Sequence, residues 1–346
     1  MRIGLMIGPE RGRYATKVDR LRADARWADQ AGLATVWVPQ IPDEFDALTA
    51  AALAGAETSR IEVGTAVVPI QPRHPIALAQ QALSTQAVCG GRLSLGLGVS
   101  HHWIVDEMLG LPYERPAATM RAYLDVLDPA LGGPGPVDVE NELFRVHNPL
   151  DITDVGPTPV LLAALGPAML QLAGERTDGT ILWMADERAI GSHIVPRLTR
   201  AAEAAGRPPP RVVAGIPVCL CRDDEVDAAV ARTNRILAEA EVSPNYQQLL
   251  DRGDAREVGD LLAAGGEAAV ERRLRSFAAA GATDISVRVV PIGDDRDQLV
   301  ASLRRTRAYL AELATSFASP AAPASAGERA SPAVESKAVD TGAGSR

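Results

Sequence analysis

Short runs of β-branched and aliphatic residues alternate with longer stretches whose apolar positions recur at helical spacing, as far as about residue 317. "IGLMI", "ATVWV", "IEVGTAVV" and "LSLGLG" predict four strands, and helix-length segments lie between them. The boundaries carry their own chemistry. Asp46 stands as an N-cap in the helical "FDALTAAALAGAETSR", offering a side-chain acceptor to its first amides, and Pro75 falls near the first turn of "HPIALAQQALSTQAVCGG". Gly32 and the pair Gly90-Gly91 follow the last periodic positions of two helices. An excursion follows the fourth strand: helical patterns at "IVDEMLG" and "RPAATMRAYLDVLDPAL", then the alternating "VDVENELFRV" of a hairpin. Regularity resumes with strands "PVLLAAL", "GTILWM", "RVVAGIPVCL" and "DISVRVV", each again followed by helical sequence.

Eight strands, most of them continuously apolar and each trailed by a helix, predict a sheet covered on both faces. That count in this length suits a closed (β/α)8 TIM barrel over residues 1–317, with an insertion after strand 4. No GxGxxG opens the first helix, which argues against an open dinucleotide-binding sheet. From residue 318 to 346 the chain is Ala/Pro/Ser/Gly with scattered charge, so a disordered tail is expected there.

In such a barrel the chemistry sits at the C-terminal ends of the strands. Those ends are Pro39-Gln40, Ala66 to Pro69, Gly98 to His101, Ala164 to Pro167, and Trp183-Met184. They offer no carboxylate pair for glycoside cleavage and no lysine for a Schiff base. A mouth so poor in acids and bases points to an organic cofactor as the carrier of the reaction. Gly166-Pro167 opens a helix whose first amides can hold a phosphate; the same dipeptide also serves as plain helix punctuation.

Composition narrows the partners. A net charge of −9 gives no reason to expect nucleic acid, and no apolar run is long enough to span a membrane. The three cysteines, Cys89, Cys219 and Cys221, are too few for a disulfide framework, so a cytoplasmic location and buried thiols are expected. No third ligand accompanies His101 and His102 at metal-binding spacing, so no metal is expected.

"IEVGTAVVPIQPRHPIALAQQALSTQAVCGGRLSLGLGVS", with "VLLAALGPAMLQLAGERTDGTILW" further on, resembles the bacterial luciferase-like superfamily, in particular its coenzyme F420-dependent oxidoreductases. The resemblance implies a deazaflavin, coenzyme F420, with FMN as the alternative. It implies a non-prolyl cis peptide at Ala66–Val67, in a bulge that runs on to Val68 and props the cofactor ring. It places backbone amides of Ala164, Leu165 and Gly166 on the cofactor phosphate, and Arg73 on its acidic tail or in solvent. Gly98 and Ser100 fall beside the ring, with Gly96 and Gly98 read as leaving bare backbone for a flat ring to approach. His101 matches the position of a glutamate acid/base in F420-dependent sugar-phosphate dehydrogenases, as a proton donor or as a hydrogen-bonding group. Gln40 stands where those enzymes carry an acid/histidine pair at the end of strand two, which argues against sugar-phosphate oxidation and leaves Gln40 as a site residue that hydrogen-bonds the ring edge or the substrate.

The function implied is hydride transfer from reduced F420 to an activated C=C or C=N bond of a small molecule or modified peptide. An FMN-dependent two-component monooxygenase and a non-catalytic flavin-binding barrel are the alternatives. The family often pairs into homodimers through helices beside the barrel.

Overall fold

Each of the eight apolar runs forms a strand, and the strands close on themselves. The computed structural model describes residues 1–8, 16–152, 155–237 and 243–318. In chain order the barrel strands are Arg2–Met6, Thr35–Val38, Glu62–Thr65 continued by Val68–Pro69, Leu93–Gly98, Val160–Leu162, Gly179–Trp183, Arg211–Leu220 and Asp284–Val289. All neighbours pair in parallel, and the eighth returns to the first with Ile3 opposite Ile285. The fold is therefore a (β/α)8 barrel. A short strand, Ala263–Gly265, adds to the far end of the seventh, and nothing in the sequence pattern announced it.

Helices Lys17–Gln30, Ala47–Ala56, Pro75–Val88 and their successors pack outside, where Leu48, Leu78 and Ala82 are completely buried. The expected caps form. Asp46 Oδ1 accepts from the Thr49 amide at 2.9 Å, and Gly90 and Gly91 turn with φ of 59° and 83°. The insertion after the fourth strand contains helix Pro116–Leu131 and an antiparallel hairpin, Val137–Glu140 with Arg145–Asn148. The last helix runs Arg296–Ala318; the tail expected to be disordered lies, beyond Ala318, outside the described residues.

One segment departs from its expected form. "ERAIGSHIVPRLTRAAEAAG" reads as a single helix but forms a short turn at Glu187–Ala189, a π-helical turn at Ile190–Ile194 and an α-helix at Val195–Ala204. Pro196 has no N–H to give the carbonyl four residues back and its ring crowds that carbonyl, so the preceding turn widens.

The inside of the barrel is filled from below. Arg2, Glu62, Ser94, Arg211 and Asp284 stand at strand starts and meet at one end. Arg211 donates to Glu62 at 2.9 Å and Asp284 at 2.7 Å, while Arg2 and Ser94 reach Glu62 at 2.6 and 2.7 Å. Burial alone would raise the Glu62 pKa, but the two guanidiniums outweigh it and hold the carboxyl below its usual range. Above this floor lies Trp37, fully buried with Leu161, Ile181 and Val213. Its ring needs bare backbone beside it: a Cβ on Gly64 would stand 2.2 Å from the indole. Ala66 and Val67 rest on top of this layer, so the barrel is closed below and open only at the strand ends.

Candidate active site

The strand ends named from sequence all lie at the same mouth, because neighbouring strands run parallel. The third strand is interrupted after Thr65 by a cis peptide at Ala66–Val67, then resumes with Val68 opposite Leu97 and Pro69 opposite Gly98. Thr65 ties this bulge to the fourth strand: its hydroxyl donates to the Gly96 carbonyl and accepts from the Gly96 amide, both at 2.9 Å.

The glycines of the fourth strand do something other than expected. A Cβ on Gly96 would lie 2.0 Å from the Thr65 carbonyl oxygen, and one on Gly98 would lie 2.6 Å from Val67 Cγ2. The space they leave is taken by the bulge itself, not held open for a ring. Bare backbone here lets Val67 seat against the fourth strand. Val68 and Ala164, both completely buried, belong to the packed core between barrel and helices, so only their backbone is left to meet a ligand.

Two polar residues expected at the mouth are already engaged. Gln40 Oε1 accepts from the Ala47 amide at 2.8 Å and so helps start a helix, while its amide nitrogen makes no hydrogen bond among the described residues. Arg73 forms an ion pair with Asp46, which also accepts from Gln81 Nε2 at 3.1 Å. Its charge is thus compensated within the protein.

Beyond Gly98 the chain turns sharply at Ser100, where φ is +57° on a residue with a side chain, and reaches His101. The His101 ring is half-buried between aromatic groups. It stacks on Trp103 with centroids 5.8 Å apart and planes 22° from parallel, and tilts against Tyr246 at 5.5 Å. Burial, with a smaller repulsion from His102, lowers the His101 pKa below its ordinary value. Neither ring nitrogen makes a hydrogen bond among the described residues. His102 turns toward Tyr113 instead, with ring centroids 6.4 Å apart. Tyr113 in turn donates to the Ser100 carbonyl at 3.2 Å and steadies the turn. A π-helical turn, Ile104–Met108, follows directly.

Tyr246 escaped the sequence reading. It comes from helix Pro244–Leu250, far along the chain, and burial pushes its phenol up to about 12, so it stays protonated. The segment "SPNYQQLLDR" carries no mark that would have selected it. Trp183, at the end of the sixth strand, lies across the seventh where Gly215 has no side chain; a Cβ there would stand 2.8 Å from its ring.

On the next strand end, Gly166 caps helix Pro167–Arg176, and no side chain caps that helix. Pro167 has no amide hydrogen, while the amides of Gly166, Ala168 and Met169 make no hydrogen bond among the described residues. A Cβ on Gly166 would find nothing within 4 Å. Open space before undirected amides at a helix start fits a phosphate. The mouth therefore offers a backbone-and-valine wall, one imidazole among aromatic rings, and an anion seat, a donor set that fits a phosphorylated flavin or deazaflavin. Cys219 and Cys221 lie elsewhere, buried on one face of the seventh strand, and burial pushes the Cys219 thiol up to about 12.

The family described as luciferase-like monooxygenase matches residues 1–330. An F420-dependent hydroxymycolic acid dehydrogenase of Mycobacterium tuberculosis is 30% identical over 277 residues, 75% of this chain and 74% of that protein. A 5,10-methylenetetrahydromethanopterin reductase of Methanolobus tindarius is 27% identical over 209 residues, 60% of this chain and 63% of that protein. The alignments with the first curated relatives span 55 to 63% of those proteins' lengths. Among solved structures, the monooxygenase RslO1 of Streptomyces bottropensis superposes with a TM-score of 0.74 at 21% identity, covering 92% of this chain and all of that one. Among the described residues, no helix is long and apolar enough to cross a membrane.

Proposed function

We propose that this chain, which belongs to the luciferase-like monooxygenase family, is an oxidoreductase that uses coenzyme F420 to reduce an activated C=C or C=N bond of a small molecule or modified peptide. The observation that carries the reading is the Ala66–Val67 bulge seated on Gly98, at the same mouth as the His101 imidazole, which makes no hydrogen bond among the described residues. Relatives named as F420-dependent enzymes support the choice of cofactor. When bound, the reduced deazaflavin supplies the hydride.

The chain's own groups do the rest. Ala66 and Val67 present an apolar wall against which a flat ring can lie, and the amides of Gly166, Ala168 and Met169 hold its phosphate. Trp103 and Tyr246 fix the plane of His101 and keep water from its faces. A ring N–H of His101 donates the proton that completes reduction of the substrate, and in the reverse direction the same nitrogen accepts it. Because its pKa is lowered, the acid form is scarce at neutral pH, and the reduction is expected to speed up as pH falls.

Titration with F420 and with FMN, followed by absorbance and fluorescence, tests the assignment. Saturable binding of F420 in preference to FMN is expected, with no substrate-dependent oxygen uptake. Preference for FMN together with oxygen uptake would replace the proposal with a monooxygenase. Binding without turnover of any unsaturated substrate would leave a non-catalytic barrel.

A further inference from the structure

His193 is the one buried histidine of the structure and the mechanism above does not use it. It sits on the π-helical turn Ile190–Ile194, with 3% of its surface exposed. Its Nε2 lies 2.9 Å from the carbonyl oxygen of Leu165, the residue before Gly166, and its Nδ1 is buried with no partner among the described residues. A carbonyl only accepts, so Nε2 carries the hydrogen and donates, and Nδ1 keeps its lone pair. Arg197 Nη1 donates to the His193 carbonyl at 3.0 Å and anchors the turn from the other side. Burial lowers the His193 pKa, in keeping with a neutral ring.

The consequence follows from the geometry of one peptide unit. The Leu165 carbonyl and the Gly166 N–H belong to the same planar trans group and point in opposite directions. Holding the carbonyl on His193 therefore turns the Gly166 N–H away from His193. The Gly166 carbonyl is separately committed to the Leu170 amide at 3.0 Å, which starts the helix. With both neighbouring carbonyls fixed, the Gly166 amide is left with one direction, into the open space at the helix start.

We infer that His193 is a positioning residue that sets the anion seat: by holding the Leu165 carbonyl it aims the Gly166 amide at the phosphate of the cofactor. The inference rests on the proposed placement of that phosphate at Gly166. The π turn contributes by presenting this ring where the sixth-strand loop faces the fifth-strand end; a regular helix would rotate it by part of a turn. Sequence alone hides the arrangement, since "GSHIV" reads as helix interior.

The test uses FMN and riboflavin, which differ by the phosphate alone, and beside them F420 and the ribityl deazaflavin that lacks both its phosphate and its acidic tail, each by fluorescence titration. In the wild type the phosphorylated member of the preferred pair binds more tightly. His193→Leu, which keeps bulk and removes the donor, is expected to weaken the phosphorylated ligand by roughly threefold to tenfold, the worth of one oriented hydrogen bond, and to leave the other within about twofold. His193→Gln, whose side-chain amide reaches about as far as Nε2, restores the preference. Should His193→Leu not fold, His193→Asn, with a shorter reach, replaces it in the same titration. Equal weakening of both ligands, or no change in either, overturns the inference while leaving the phosphate placement standing. A wild type that ignores the phosphate removes the placement itself, and the inference with it.

Discussion

Replacing Gly98 by alanine isolates the contact on which the mouth is built. The new Cβ would stand 2.6 Å from Val67 Cγ2 and 3.3 Å from the Ala163 Cβ. Real carbon pairs do not approach to the first distance, so Val67 or the fourth strand must move. A β-branched side chain has few rotamers in which to retreat, and the barrel layer beneath it is packed. Overpacking of this kind costs about 1–3 kcal/mol. Val67→Ala alone removes two methyl groups from a half-buried site and is expected to cost about 1 kcal/mol. The would-be Cβ on Gly98 lies 3.8 Å from the Val67 Cβ, an ordinary contact, so in the double variant the clash with Val67 disappears and only the tight 3.3 Å approach to Ala163 remains. Gly98→Ala with Val67→Ala should therefore be more stable than Gly98→Ala alone, with a coupling of about 1–2 kcal/mol. Urea unfolding of the four proteins, followed by circular dichroism, measures it. Effects that add to within about 0.5 kcal/mol would refute the claim that Gly98 is bare in order to seat Val67.

His101→Ala should leave cofactor affinity unchanged and lower turnover by roughly 10²–10⁴, as removal of a general acid does; equal turnover in a steady-state assay would exclude the role. The pH profile of the wild type adds a sign. The folded His101 pKa lies below its ordinary value of 6.5, so reduction should keep accelerating as pH falls below that point, and His101→Ala should flatten this limb. By linkage the same group destabilises the fold in acid: the unfolded chain takes up its proton first, so the contribution to stability present above about pH 6.5 is lost as pH falls toward the lowered folded value. At the closed end, Arg211→Met should cost about 1.5–3 kcal/mol, because Glu62 and Asp284 lose the more buried of the two guanidiniums they share and keep only Arg2; thermal unfolding reads the loss, and a melting temperature within a degree of wild type would contradict it.

The strands were legible because both of their faces are covered. "LSLGLG" and "RVVAGIPVCL" had to be apolar beyond Ser94 and Arg211 at their starts, and no tertiary knowledge is needed to see that. Caps such as Asp46 were legible for a related reason: they act within a few residues of themselves. What failed to show was non-local. Arg211 and Glu62 are 149 positions apart, and nothing in either neighbourhood names the other. Gly96 and Gly98 were seen as gaps but not as gaps for Val67, since the occupant of a gap belongs to another strand. Gln40 ends the second strand and Arg73 precedes the third helix, and the resemblance put Gln40 near a ligand and Arg73 on the cofactor tail or in solvent; their partners, the Ala47 amide and Asp46, become visible only once the second and third loops are side by side. Tyr246 and His193 lie on helical segments that look like any others, and only the folding of later loops over the mouth gives them neighbours.

The indole of Trp37 and the charged group under it make the cylinder a blind tube. Any molecule at the mouth must therefore come and go by that one face, and under the proposed function a ring lying against Val67 has to enter before whatever covers it and leave after; that one-way access is set by a tryptophan packed beneath the ring's own wall.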